Sequence, residues 1–112
     1  MLQDSIQDRV FRALADGTRR ALIDRLGERE RSVSELTELF DISQPAVSQH
    51  LKVLREANLV SERKDGRNRI YSLNAKPLML AQKWLDGHIE FWASGMTRLG
   101  EHLRKKHGKP KT

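Results

Sequence analysis

The chain has 112 residues, room for one domain, with 21 Lys and Arg against 15 Asp and Glu, a net charge of +6. It has no cysteine, which excludes disulfides, thiolate-bound metals, iron–sulfur clusters and a thiol nucleophile. The start, Met1-Leu2-Gln3-Asp4-Ser5, lacks the basic and apolar regions of a signal peptide. No apolar run approaches the roughly 20 residues that a bilayer span takes, so a soluble, cytoplasmic protein without a membrane partner is expected.

Ile6, Val10 and Leu14 recur every fourth residue and predict a first amphipathic helix, with Phe11 widening its stripe. Asp16 is a cap for a second helix, whose apolar face is Leu22, Ile23 and Leu26 and which Gly27 is expected to end. Ser34 is the candidate cap of a short third helix carrying Leu36, Leu39 and Phe40. Asp41-Ile42-Ser43 then makes a tight turn. Ser43 caps a fourth helix with Pro45 in its first turn, where a missing N–H is harmless. That helix is expected to run to about Ala57, with Asn58 left-handed behind it.

The period then changes to extended. Residues 59–63 and 69–73 read as strands, and the Asp65-Gly66 pair between them is a hairpin signal, because such turns need positive φ. Pro77 opens a last helix reaching about Arg104. The order α-α-α-α-β-β-α is mainly α with a small β-hairpin, a winged helix-turn-helix. Residues 1–104 are expected to form the DNA-binding and dimerisation domain, and the basic residues 105–112 a disordered tail.

On a helical wheel the fourth helix turns Val47, Leu51 and Leu54 inward, with His50 at the edge of that sector. Pro45, Ser48, Gln49 and Lys52 face outward, and Gln44 lies at the exposed N-terminal end. Gln pairs bidentately with adenine, Ser donates or accepts, and the Pro45 ring suits a thymine methyl. The hairpin adds Arg63, Lys64, Arg67 and Arg69, four cations placed to straddle phosphates.

Three stretches, Leu14 to Arg20, Ser43 to Val60 and the wing Arg63 to Tyr71, resemble the ArsR/SmtB-type winged-helix repressors, over about residues 5–75. The resemblance implies a dimeric transcriptional regulator on operator DNA. It implies DNA contacts from Ser43, Gln44, Ser48, Gln49 and Lys52 of the fourth helix and from the wing positions Arg63, Lys64, Arg67 and Arg69. It does not supply a metal site. The third helix, where thiolate-using relatives place their ligands, has none. Asp86-Gly87-His88 matches the first half of a zinc pattern, but its third position falls on Leu99, which cannot ligate, and its fourth on His102. No metal and no cofactor is expected.

The last helix carries a broad apolar stripe that includes Trp84, His88, Phe91, Trp92, Met96 and Leu99, with both tryptophans of the chain on it. Together with Ile6 and Val10 of the first helix it is expected to form a homodimer interface. A ligand pocket between subunits and a membrane-surface face are the competing readings of the stripe. Gly87, Gly95 and Gly100 inside it either permit close helix approach or break the helix.

The expected function is a sequence-specific DNA-binding transcriptional regulator, a dimeric repressor on an inverted-repeat operator, whose unknown effector is not a thiolate-bound metal. The alternatives are a protein-interaction module without specific DNA binding and a zinc sensor with a degenerate last-helix site. With no phosphate loop and no recognisable carboxylate pair, an enzyme is not expected.

Overall fold

The structure, a computed structural model, describes the backbone of residues 5–107 and the side chains of residues 5–101. The elements in chain order are α1 (Ile6–Leu14), α2 (Gly17–Glu28), β1 (Arg31–Ser32), α3 (Val33–Leu39), α4 (Gln44–Glu56), β2 (Val60–Asp65), β3 (Asn68–Leu73) and α5 (Lys76–His107). The fold is mainly helical with a small antiparallel hairpin, as the pattern required. It divides into two compact units, Met1–Ala81 and Gln82–Thr112.

The core of the first unit is built by the apolar positions of the helical periods. Val10 and Ala13 of α1, Leu22, Ile23 and Leu26 of α2, Leu36 of α3, and Val47, Leu51 and Leu54 of α4 close on one another. Leu59, Val60 and Tyr71 floor that cluster from the hairpin. Val10 was expected at a subunit interface. It is 1% exposed, so it lies within the subunit core and has no surface to offer a partner.

Capping chemistry corrects two boundaries. The cap of α3 is Ser32, not Ser34: the Ser32 hydroxyl accepts from the Glu35 N–H at 3.1 Å, and the Glu35 carboxylate accepts from the Ser32 N–H at 3.1 Å. A carboxylate or amide side chain three residues on is what closes that reciprocal pair, and Ser34 has Thr37 there. Gly27 does not end α2, which runs one residue further to Glu28. Ser5 makes a second reciprocal cap with Asp8 at the start of α1.

Arg31 and Ser32 pair with Tyr71 and Ile70, adding a third strand in the order β1-β3-β2. Two residues carry no readable period, so this strand has no signature in the sequence. In the hairpin Asp65 opposes Asn68, leaving Gly66 and Arg67 as the turn, with Gly66 at φ 63°. Asn58 is at φ 59°, the left-handed residue that lets the chain leave α4 and enter β2.

The last helix begins at Lys76 and continues unbroken through Gly87, Gly95 and Gly100 to His107. A Cβ at Gly87 or Gly95 would meet nothing within 4 Å among the described residues. Of the expected tail, residues 105–107 continue this helix, and residues 108–112 lie outside the described residues.

Candidate nucleic-acid interface

The junction of α1 and α2 orients the helix-turn-helix. Asp16 caps α2 by accepting from the Arg19 N–H at 3.1 Å. The Arg19 guanidinium turns back onto the open end of α1, donating to the carbonyls of Ala13 at 2.7 Å and Arg12 at 3.1 Å. Arg20 donates to the Leu14 carbonyl at 2.6 Å. Two cations thus cover the carbonyl end of α1, where the Arg12 carbonyl also accepts from the Ala15 N–H. Arg19 also donates to His50 Nδ1 of α4 at 3.4 Å, and that nitrogen lies 3.9 Å from Asp16. His50 therefore faces the junction rather than the outer surface. The bond from the Arg19 N–H, aided by the Arg19 charge, holds the Asp16 carboxyl below its ordinary value.

Opposite this junction a groove of about 540 Å³ opens between the outward face of α4 and the wing. From α4 it is lined by Gln44, Pro45, Ser48, Gln49, Lys52 and Arg55, and from the wing by Arg67, Asn68, Arg69 and Tyr71. Ser32, Val33 and Ser34 close its third side. Every charged side chain on the lining is a cation. The N-terminal half of α4 presents amides and hydroxyls, and the cations sit further along and across, on the wing. An α-helix of this character fits a major groove while flanking cations reach phosphates.

Most of the expected DNA contacts are gathered here, and three are not. Ser43 stands exposed at the helix start with its hydroxyl occupied in the cap, accepting from the Ala46 N–H at 3.3 Å. Lys64 lies beside the groove, directly across the hairpin from Arg69. Arg63 alternates onto the opposite face of the hairpin and is ion-paired with Glu30 at 2.6 Å, so it points away from the groove. The sequence reading missed Arg55, Asn68, Ser34 and Tyr71. Arg55 lay one helical turn beyond Lys52 and was findable from the i, i+3 spacing. The others required the tertiary fold.

Beneath the groove, Glu62 accepts from Arg55 at 2.6 Å and from the Tyr71 hydroxyl at 2.5 Å. The Tyr71 bond, aided by the charges of Arg55 and Arg69, holds the Glu62 carboxyl below its usual value. Burial, then the bond to Glu62, pushes the Tyr71 hydroxyl up to about 12. Lys52, Lys64, Arg67 and Arg69 make no ion pair among the described residues.

In the second unit the apolar stripe is largely uncovered: Phe91 is 68% and Met96 73% exposed, and Trp92 and Leu99 are exposed with them. Ile6 of α1 is exposed as well. His88 stacks on Trp84 with centroids 4.1 Å apart, and Trp92 approaches both rings. The His88 Nδ1 donates to the Trp84 carbonyl at 2.8 Å. Among the described residues no three His, Asp or Glu come together to hold a metal ion, and no helix is long and apolar enough to cross a membrane.

Comparison with known proteins agrees with this geometry. Residues 16–62 match the model of the family described as bacterial regulatory protein, arsR family. The chain is 46% identical over 90 residues to the HTH-type transcriptional regulator Rv2034 of Mycobacterium tuberculosis, covering 80% of this chain and 81% of that protein. It is 36% identical over 76 residues to the transcriptional repressor SdpR of Bacillus subtilis, covering 68% of this chain and 84% of that one. Among solved structures, a crystal structure of an ArsR family transcriptional regulator superposes with a TM-score of 0.73 at 35% identity, covering 84% of this chain and 98% of that chain.

Proposed function

The chain belongs to the ArsR family of bacterial transcriptional regulators, whose members matched here are regulators and not enzymes, and from that premise we propose that it is a sequence-specific repressor that binds operator DNA as a homodimer. The observation that carries the reading is the groove: amides and hydroxyls on the first turns of α4, cations at its far end and on the wing, and no carboxylate on the lining. Base edges are read by the former and phosphates held by the latter. Lys64 and Arg69 face each other across the hairpin. Like charges so placed are destabilising until an anion lies between them, which a phosphate supplies. A protein-docking surface would instead show large apolar side chains on this face of α4.

The exposed stripe of Phe91, Trp92, Met96 and Leu99, with Ile6, supports a second copy as partner. Two recognition helices one DNA turn apart, about 34 Å, require an imperfect inverted repeat. Occupancy of a promoter by such a dimer blocks transcription. Release is by a signal other than a thiolate-bound metal, since the chain has no cysteine. Residues 1–104 carry both binding and dimerisation in this reading.

Fluorescence anisotropy over a salt series, comparing the DNA upstream of the gene with random DNA, tests it. The expected preference is about 10³-fold with a steep loss of affinity in salt. Equal, weak binding to both, together with no consensus selected from a randomised pool, overturns it.

A further inference from the structure

One carboxylate ties the two DNA-facing elements together. Glu62 stands on β2, directly opposite Tyr71 on β3, and its Oε2 accepts from both the Tyr71 hydroxyl and the Arg55 guanidinium. Arg55 is in the last turn of α4, and both Arg55 and Tyr71 line the groove. The Glu62 side chain is 18% exposed and Tyr71 is buried, whereas the Arg55 side chain is 48% exposed, so the carboxylate is partly desolvated and anchored on the Tyr71 side while its Arg55 bond stays open to solvent.

We propose that Glu62 is a positioning residue: by holding Arg55 of α4 and Tyr71 of β3 on a single oxygen, it locks the angle between recognition helix and wing, and so sets the preference for specific over non-specific DNA. The proposal rests on the DNA-binding reading above. Base contacts from Gln44, Ser48 and Gln49 tolerate little displacement, whereas cation–phosphate contacts tolerate much. Loss of the lock therefore falls on specific binding alone. The charge of Glu62 acts in the opposite direction. A carboxylate beneath a cationic groove repels phosphates, so its removal raises affinity for any duplex. The two roles predict opposite signs and are separable by experiment.

The test uses the full chain, a duplex selected by the unaltered protein from a randomised pool, and a scrambled duplex of the same composition. Anisotropy gives both affinities for the unaltered protein, Glu62→Gln and Tyr71→Phe, and thermal unfolding is recorded for each. Glu62→Gln is expected to bind the scrambled duplex severalfold more tightly while the ratio of selected to scrambled affinity falls about tenfold, the loss of one charge-assisted bond. Tyr71→Phe keeps every charge. It is expected to lower the ratio in the same sense and to leave the salt slope, which counts cations, where it was, and the double variant is expected to lower the ratio little further. The proposal is overturned if Glu62→Gln tightens both duplexes equally and Tyr71→Phe changes neither. It is equally overturned if the variants lose both affinities in proportion to lost stability. An unaltered chain that prefers no duplex overturns the underlying reading first, and this one with it.

Discussion

Replacing Arg67 by alanine separates the two faces of the hairpin by their effect on salt dependence. Arg67 is at the turn, lines the groove and makes no ion pair among the described residues, a state shared by Lys52, Arg69 and the neighbouring Lys64. If these cations each meet one phosphate in a dimer, the slope of log affinity against log salt is about −7, from about −0.9 per neutralised phosphate. Between 50 and 200 mM salt that is a loss of about 10⁴-fold. Arg67→Ala removes two contacts per dimer, flattens the slope by about 1.8 and reduces the loss to about 10³-fold. Arg63→Ala is the internal control. Its guanidinium is committed to Glu30 on the opposite face, so the slope should not move. Anisotropy titrations at four or so salt concentrations read both variants. An unchanged slope in Arg67→Ala, or an equal flattening in Arg63→Ala, would refute the assignment of the groove as the phosphate-bearing face.

Gln49→Ala should lower discrimination by roughly 1–3 kcal/mol at one base pair of each half-site while leaving random-sequence binding intact; equal losses on both DNAs sink its base-reading role. Leu51 has no exposed surface at the centre of the core, so Leu51→Ala should cost about 3–5 kcal/mol, read by denaturant unfolding. Tyr71 is the only tyrosine in the chain, so the absorbance of tyrosinate reports it alone. Its ionisation should occur at about 12 in the folded protein and near 10 in denaturant. Because the folded value is the higher, the stability linked to this group is fully present below pH 10 and is lost as pH rises from about 10 towards 12. A folded midpoint near 10 would show that neither the burial of the Tyr71 hydroxyl nor its bond to Glu62 persists in solution.

Everything governed by neighbours in the chain was legible in the sequence. The period of Val47, Leu51 and Leu54 oriented α4, since a helix leaves only one face for the core. Ser43 and Pro45 marked its start, and Asp65-Gly66 marked the hairpin, because few residues tolerate those backbone angles. The capping pair of Ser32 and Glu35 was equally local and equally readable; Ser34 was a misreading, not a hidden signal. Tertiary structure decided what depends on residues far apart. The two-residue β1 exists only because β3 offers it an edge. Val10 belongs to the subunit core because α2 and α4 cover it. Arg63 faces away from the groove while Lys64 faces along it, because a strand turns alternate side chains to opposite sides and the register of β2 on β3 chooses which. His50 meets Arg19 across 31 residues, and Glu62 gathers Arg55 and Tyr71 from a helix and a strand. Local periodicity sets which face of an element is polar; only packing sets which polar faces meet, because that depends on the distances and charges between elements that the chain order does not contain.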